Sequence, residues 1–228
     1  MKKNRTTKIQ SLQIGKIKNY KNFQSAFIKD TYLEETQIDF LGVLDDQIAD
    51  KIHHGGYHKA IFANSCQNYP IWERFLNKKL NFGSMGENLS IDGLCEQNVC
   101  IGDIHQFSNA ILQVSEPRKP CVKISKIHNN PNFTHEIFKT GLSGWYYKVL
   151  QVGQIRKHEN IKILEKNSTS LSVFELNQLF YSPHQILKQN PNLLDKLEKL
   201  NSLISQNWHE TIHKRLKNTY DISYMDSL

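Results

Sequence analysis

Apolar and polar positions alternate in short runs from about Lys8 to Leu164, and the spacing then lengthens to three and four residues for the rest of the chain. Alternation with a period of two sends successive side chains to opposite faces of a strand. The first region therefore predicts short β-strands, clearest at 14–17, 98–104, 110–114 and 161–164. Gly102-Asp103 and Ser108-Asn109 bracket a hairpin in which Ile104, Phe107, Ile111 and Val114 are expected to face the core. Two helices interrupt this pattern. One covers 67–78, with Tyr69, Trp72, Phe75 and Leu76 at helical spacing, and one covers 134–140, with Gly141 placed to end it.

No glycine occurs from Lys166 to Leu228, and helix-start signals recur there. Ser172-Val173-Phe174-Glu175 is a capping-box pattern, Ser182-Pro183 starts a second helix, and Asn190-Pro191 restarts or kinks it. Leu193, Leu194, Leu197 and Leu200 form one apolar face, and Ile204, Trp208, Ile212 and Leu216 form another at four-residue intervals. The pattern predicts a mainly β domain over 1–165, followed by a three-helix segment over 166–228.

With 39% hydrophobic and 22% charged residues in 228, the chain has the composition of a soluble globular protein able to bury a substantial core. No apolar run approaches a membrane span, and the basic N-terminus lacks the hydrophobic stretch of a secretory signal, so a cytoplasmic location is expected. The formal net charge of +7 suits an anionic ligand or partner. Its lysines and arginines are dispersed, without an RNP strand or zinc-finger spacing, which favours a solvated surface over a nucleic-acid interface. Cys66, Cys95, Cys100 and Cys121 form no Cys-x-x-Cys pair and are expected to be reduced thiols.

Candidate chemistry concentrates in three turns. Arg118-Lys119-Pro120-Cys121 puts a thiol on a proline-stiffened turn beside fixed positive charge, an environment that favours the nucleophilic or metal-ligating thiolate. His53-His54-Gly55-Gly56 can bring backbone N–H groups close to an anion, with His58, Lys59 and Arg118 adding charge or hydrogen bonds; a plain turn is the competing reading. Gly86-Glu87-Asn88-Leu89-Ser90 offers a carboxylate and an amide, although Asn88 and Ser90 could only cap the turn. His209-Glu210-Thr211-Ile212-His213 matches the pattern of zinc peptidases. After His213 only Asp221 and Asp226 remain as metal-ligand types, so that reading is set aside.

The ordered series His54-Gly55-Gly56, Gly86-Glu87-Asn88-Leu89-Ser90, Asp92-Gly93-Leu94, Asn98-Val99, Gly102-Asp103, Gln113-Val114-Ser115, Pro117-Arg118, Pro120-Cys121 and Gly144-Trp145 resembles the MOSC domain family, named after the C-terminal domain of molybdenum cofactor sulfurase, and within it the YiiM branch. Tyr57-His58-Lys59 stands where that family usually reads Pro-Asp-Arg. The resemblance implies a β-barrel-like domain with a C-terminal three-helix segment, and a molybdenum cofactor whose metal is bound by Cys121. It implies that His54, Gly55, Gly56, Lys59, Asn88, Ser115 and Arg118 hold the cofactor, with Glu87 orienting substrate or moving a proton. The implied activity is reduction of N-hydroxylated compounds, including N-hydroxylaminopurines, amidoximes and hydroxylamines. The chain carries no flavin or dinucleotide fingerprint and no iron–sulfur cysteine spacing, so electrons would come from a separate reductase. A carrier of the cofactor, or of a persulfide on Cys121, is the alternative.

Overall fold

The computed structural model describes residues 6–50, 54–200 and 203–223. His53, the first residue of the expected glycine turn, lies outside them, as does Asp226. Along the chain run β1 (Lys8–Ile14), the hairpin β2 (Lys18–Tyr20) and β3 (Phe23–Ser25), then β4 (Thr31–Leu33), β5 (Glu35–Asp39), β6 (Gly42–Val43) and β7 (Ile61–Ser65). The helix α1 (Tyr69–Leu76) follows, then β8 (Leu89–Asp92), β9 (Ile104–Phe107), β10 (Ala110–Pro117), α2 (Lys123–His128) and α3 (Phe133–Thr140). The barrel region ends with β11 (Trp145–Gln151), β12 (Gly153–Arg156) and β13 (Lys162–Glu165), and the chain closes with α4 (Val173–Tyr181), α5 (Pro183–Gln189), α6 (Asn192–Glu198) and α7 (Gln206–Leu216).

Eight strands form the main sheet in the order β13-β9-β10-β11-β7-β8-β1-β4, in which β7 and β8 are parallel. The sheet curls back on itself. Ile161 N donates to Thr7 O at 2.9 Å and His158 N to Ile9 O at 2.8 Å, joining the approach to β13 with β1 near the opposite edge. Such closure pairs backbone groups that a flat sheet would leave at its edges. The mainly β, barrel-like class expected from the sequence is the class observed.

The hairpin of β9 and β10 turns at Ser108-Asn109 as expected, with Phe107 opposite Ala110 and His105 opposite Leu112. Its inner face is different in detail: Phe107, Leu112 and Val114 are buried with His105, whereas Ile104 and Ile111 are half-buried one position out of phase. Strand β1 ends at Ile14 instead of running to Ile17, which is exposed. Most of the expected strand at 98–104 is a buried loop, in which Ile101 N bonds to Leu171 O and Gly102 N to Val114 O.

One apolar cluster runs from the sheet into the C-terminal helices, linking Leu112, Val114 and Tyr147 with Leu176, Phe180, Leu197 and Trp208. The capping box starts α4: Ser172 Oγ accepts from Glu175 N, and Glu175 Oε2 accepts from Ser172 N. Among the described residues, four α-helices stand where three were expected. Asn190, which precedes Pro191, takes an extended conformation (φ −144°, ψ 85°) and separates α5 from α6, as steric conflict with a following proline ring requires. A second cluster, built on Trp72, Tyr69, Met85, Ile124 and Phe133, packs α1, α2 and α3 together behind the turn that carries Cys121.

Candidate functional site

An open cavity forms where residues 24–27, 46–50 and 54–60 meet the turn after β10. About 710 Å³ of space lies within it, the open solvent at its mouth included. His54, Gly55, Lys59, Asn88, Arg118 and Cys121 all contribute to its wall. The three turns singled out in the sequence, separated by up to 67 positions, thus meet at one hollow.

Cys121 is half-buried on this wall, just ahead of α2. Its backbone is fixed from two directions, because its carbonyl accepts from Ile124 N at 3.0 Å and from Thr134 Oγ1 at 3.1 Å. Arg118 is 7% exposed, and its guanidinium carbon lies 4.7 Å from the centre of the Phe27 ring and 4.8 Å from that of Phe62. One terminal nitrogen donates to the Met85 carbonyl. The buried Nε has no hydrogen-bond partner, and among the described residues no carboxylate pairs with this cation. Gly86 makes the arrangement possible: a Cβ there would stand 3.1 Å from the Phe27 ring and 3.2 Å from Arg118 Nη1, and its φ of +87° suits glycine.

The other charges around the cavity are matched. Lys29, itself buried, reaches Asp46 at 2.6 and 2.7 Å; Asp46 also accepts from Gly15 N and from Asn88 Nδ2. Asn88 Oδ1 accepts from Phe62 N, so this amide braces β7 against the 46–50 loop. Lys123 lies 3.8 Å from Asp50, and Lys59 lies 3.8 Å from Glu116. His54 is held neutral near pH 7, since burial and then the Arg118 charge push it down to about 4. Gly55 takes φ +82°, a conformation that exposes backbone where a side chain would strike Ile48.

Other expected residues lie elsewhere. Glu87 is not at the rim: it is fully buried under the turn, accepting from Tyr69 Oη, from Gly83 N at 2.9 Å and from Ser90 Oγ at 2.8 Å. Burial raises its pKa, and it cannot touch a ligand in the cavity. Ser115 is buried in β10, where its single hydroxyl proton is shared between the carbonyls of His58 and Tyr146. Gly56 is exposed and absent from the cavity wall. Lys119 points away from Cys121, because alternation along an extended turn sends it to the face opposite Arg118. Its Nζ lies 4.7 Å from the centre of the Trp208 ring and donates to Asn207 Oδ1 and Thr211 Oγ1, while burial lowers its pKa to about 8. Phe27, Phe62, Lys29 and Asp46 were missed by sequence reasoning. Their pairing depends on contacts between distant segments, and no local pattern marks them.

The curled β-sheet thus brings a thiol and a cation with no carboxylate partner among the described residues to one open hollow. Residues 50–162 match the family model described as the MOSC domain. The chain is 34% identical over 170 residues to the uncharacterized protein YflK of Bacillus subtilis, spanning 75% of each. It is 34% identical over 142 residues to a Gibberella moniliformis protein named Reductase, spanning 60% of this chain and 25% of that one. The crystal structure of YiiM from Geobacillus stearothermophilus shares the fold with a TM-score of 0.74 at 30% identity, over 92% of this chain and 99% of that one. The chain belongs to the MOSC domain family, in its YiiM-like branch, and its function is accordingly associated with the molybdenum cofactor.

Proposed function

We propose that this protein is a molybdenum-cofactor-dependent reductase of N-hydroxylated compounds, served by a separate electron-donating protein. The observation that carries the proposal is that Cys121 and the buried, uncompensated Arg118 open onto one cavity. A buried guanidinium without a counter-ion is costly unless a bound anion completes it, and the phosphate of a pterin cofactor is such an anion. The residues present fit that group. Arg118 would hold the phosphate, Gly55 would let backbone approach, and Cys121 would supply the thiolate that a soft, high-valent metal requires.

When bound, the cofactor supplies a two-electron metal centre able to take oxygen from nitrogen. The chain contributes position and charge. The Lys29–Asp46–Asn88 network fixes part of the cavity wall, and neutral His54 can exchange a hydrogen bond with a polar substrate without adding charge. In the net reaction the substrate N–O bond breaks, two electrons and two protons are consumed, and the amine and one water are released. The likeness to a protein named Reductase supports an oxidoreductase.

The test is expression in a host that makes the cofactor, followed by metal and pterin analysis and an assay with a chemical reductant and an N-hydroxylated base. Retained molybdenum and formation of the amine are expected, both lost in Cys121→Ser with the fold intact. Cofactor retention without turnover would replace the reductase by a carrier. Full turnover by Cys121→Ser would remove the assigned metal ligand.

A further inference from the structure

Glu198 closes α6, and it meets two histidines of α7 that the sequence pattern had already paired. His209 and His213 are one helical turn apart on the same face, their ring centres 4.6 Å apart. His209 Nε2 lies 3.2 Å from Glu198 Oε2, and His213 Nε2 lies 3.0 Å from Glu198 Oε1. One potential ligand atom from each of the three residues falls within 4.8 Å of the others.

We propose that these three side chains form a site for a divalent first-row metal ion of the zinc type, separate from the cavity of Cys121. Tetrahedral zinc with bonds of about 2.0–2.1 Å places its ligand atoms roughly 3.3 Å apart; each histidine is already that near one Glu198 oxygen, and the full set, spread over at most 4.8 Å, closes on an ion by side-chain rotation. Two imidazoles and one carboxylate are a ligand set that zinc accepts, and the half-exposed position leaves the fourth place to water. The third ligand comes not from the residues after His213 but from upstream, on the preceding helix, where sequence spacing could not show it.

The site is not that of a peptidase. Glu210, which would have to act as the base, is engaged along its own helix, accepting from Gln206 Nε2 at 2.7 Å and lying 4.0 Å from Lys214 Nζ. A metal here fastens α6 to α7. Since α7 also carries Asn207, Trp208 and Thr211, which hold Lys119 two positions before Cys121, the ion would stiffen the support behind the cavity.

Two imidazoles hydrogen-bonded to one carboxylate would look similar without any metal, so the test is a titration. Full-length Cys121→Ser protein, stripped with chelator, is titrated with Zn²⁺ by calorimetry and melted with and without the ion. One equivalent should bind with micromolar or tighter affinity and raise Tm by about 5–10 °C at a hundredfold excess over Kd. His213→Ala and Glu198→Gln, made in that background, should each weaken binding at least tenfold and abolish the Tm rise while keeping the metal-free Tm within a few degrees. Co²⁺ should give the visible bands of a four- or five-coordinate site only where both histidines are present. Zn²⁺ affinity unchanged in His213→Ala, or no binding at a hundred micromolar Zn²⁺, overturns the site.

Discussion

The Lys119 ammonium rests 4.7 Å from the centre of the Trp208 ring, which ties the turn bearing Cys121 to the last helix of the chain. Phe180 and Tyr220 complete the aromatic surround at 5.5 and 5.9 Å, and Glu116, three positions earlier, accepts from Ser205 N at the start of the same helix. The C-terminal helices therefore set where Arg118 and Cys121 stand, even though none of their residues lines the cavity. Lys119→Met keeps the volume but loses the cation–ring attraction and two hydrogen bonds, a loss of about 1–2 kcal/mol. The expected result is a modest fall in Tm and a larger fall in cofactor retention. Trp208→Ala should cost about 3–5 kcal/mol in urea unfolding. Unchanged cofactor retention in Lys119→Met would show that the helices support the fold without positioning the site.

Arg118 makes a prediction in which stability and binding move apart. Its guanidinium is buried between Phe27 and Phe62 with no carboxylate partner among the described residues, so the apo-protein bears the cost of an unmatched charge. Arg118→Met keeps a long side chain between the rings and removes that cost. The apo-protein Tm should stay level or rise, while affinity for an anionic ligand drops about ten- to a hundredfold, read as phosphate or pterin binding by calorimetry. A large fall in apo-protein Tm with unaltered anion affinity would assign Arg118 a structural role alone.

Glu87 should behave as a structural acid. Burial raises its pKa, and Tyr69, Gly83 and Ser90 converge on a single oxygen while the other has no partner. A carboxyl with a folded-state pKa above its unfolded value adds stability below the unfolded pKa, and that stability is lost as pH rises through the folded value. Glu87→Gln presents a neutral isostere, so its stability relative to wild type should improve as pH rises from 5 to 8. Glu87→Ala leaves buried donors unsatisfied and should lose about 1–3 kcal/mol each for the groups stranded. Loss of turnover in Glu87→Gln at unchanged Tm and cofactor content would return the residue to the chemistry.

The turns and the β9–β10 hairpin were legible in the sequence, because glycine turns, prolines and period-two alternation are local signals, while the expected strands at 14–17 and 98–104 largely gave way to loops. Ser108-Asn109, Gly141 and the Ser172–Glu175 box each appear where local chemistry puts them. What stayed hidden depends on the direction of a side chain or on a distant partner. Arg118 and Lys119 look equivalent as neighbours of Cys121, yet one enters the cavity and the other an aromatic nest on the opposite face. Glu87 and Asn88 are likewise adjacent, and the parallel pairing of β7 with β8 puts the amide on the wall and the carboxyl beneath it. Glu198 could not be read beside the His209–His213 pair because it stands on a different helix, α6, and meets them only in the fold.

His105 tests the acid side of the stability curve. It is fully buried, with Nδ1 at 2.8 Å from Tyr147 Oη and Nε2 without a hydrogen-bond partner, and burial outweighs the nearby Asp103 to push its pKa down to about 4. Between that value and about 6.5 the unfolded chain takes up a proton that the folded chain refuses, so stability from this group falls as pH drops through the window. Each such histidine contributes at most about 1.4 kcal/mol per pH unit. His54 and His128, also lowered to about 4 chiefly by burial, act in the same direction, and buried Glu87 and Glu96 act against them. The net slope is therefore less informative than a difference. His105→Gln keeps an amide for Tyr147 and cannot titrate, so it should be less stable than wild type at pH 7.5, with the gap narrowing steadily as urea melts are repeated down to pH 4.5. A gap that stays constant over that range would mean that His105 takes up its proton alike in the folded and unfolded chains, against a lowered folded-state pKa.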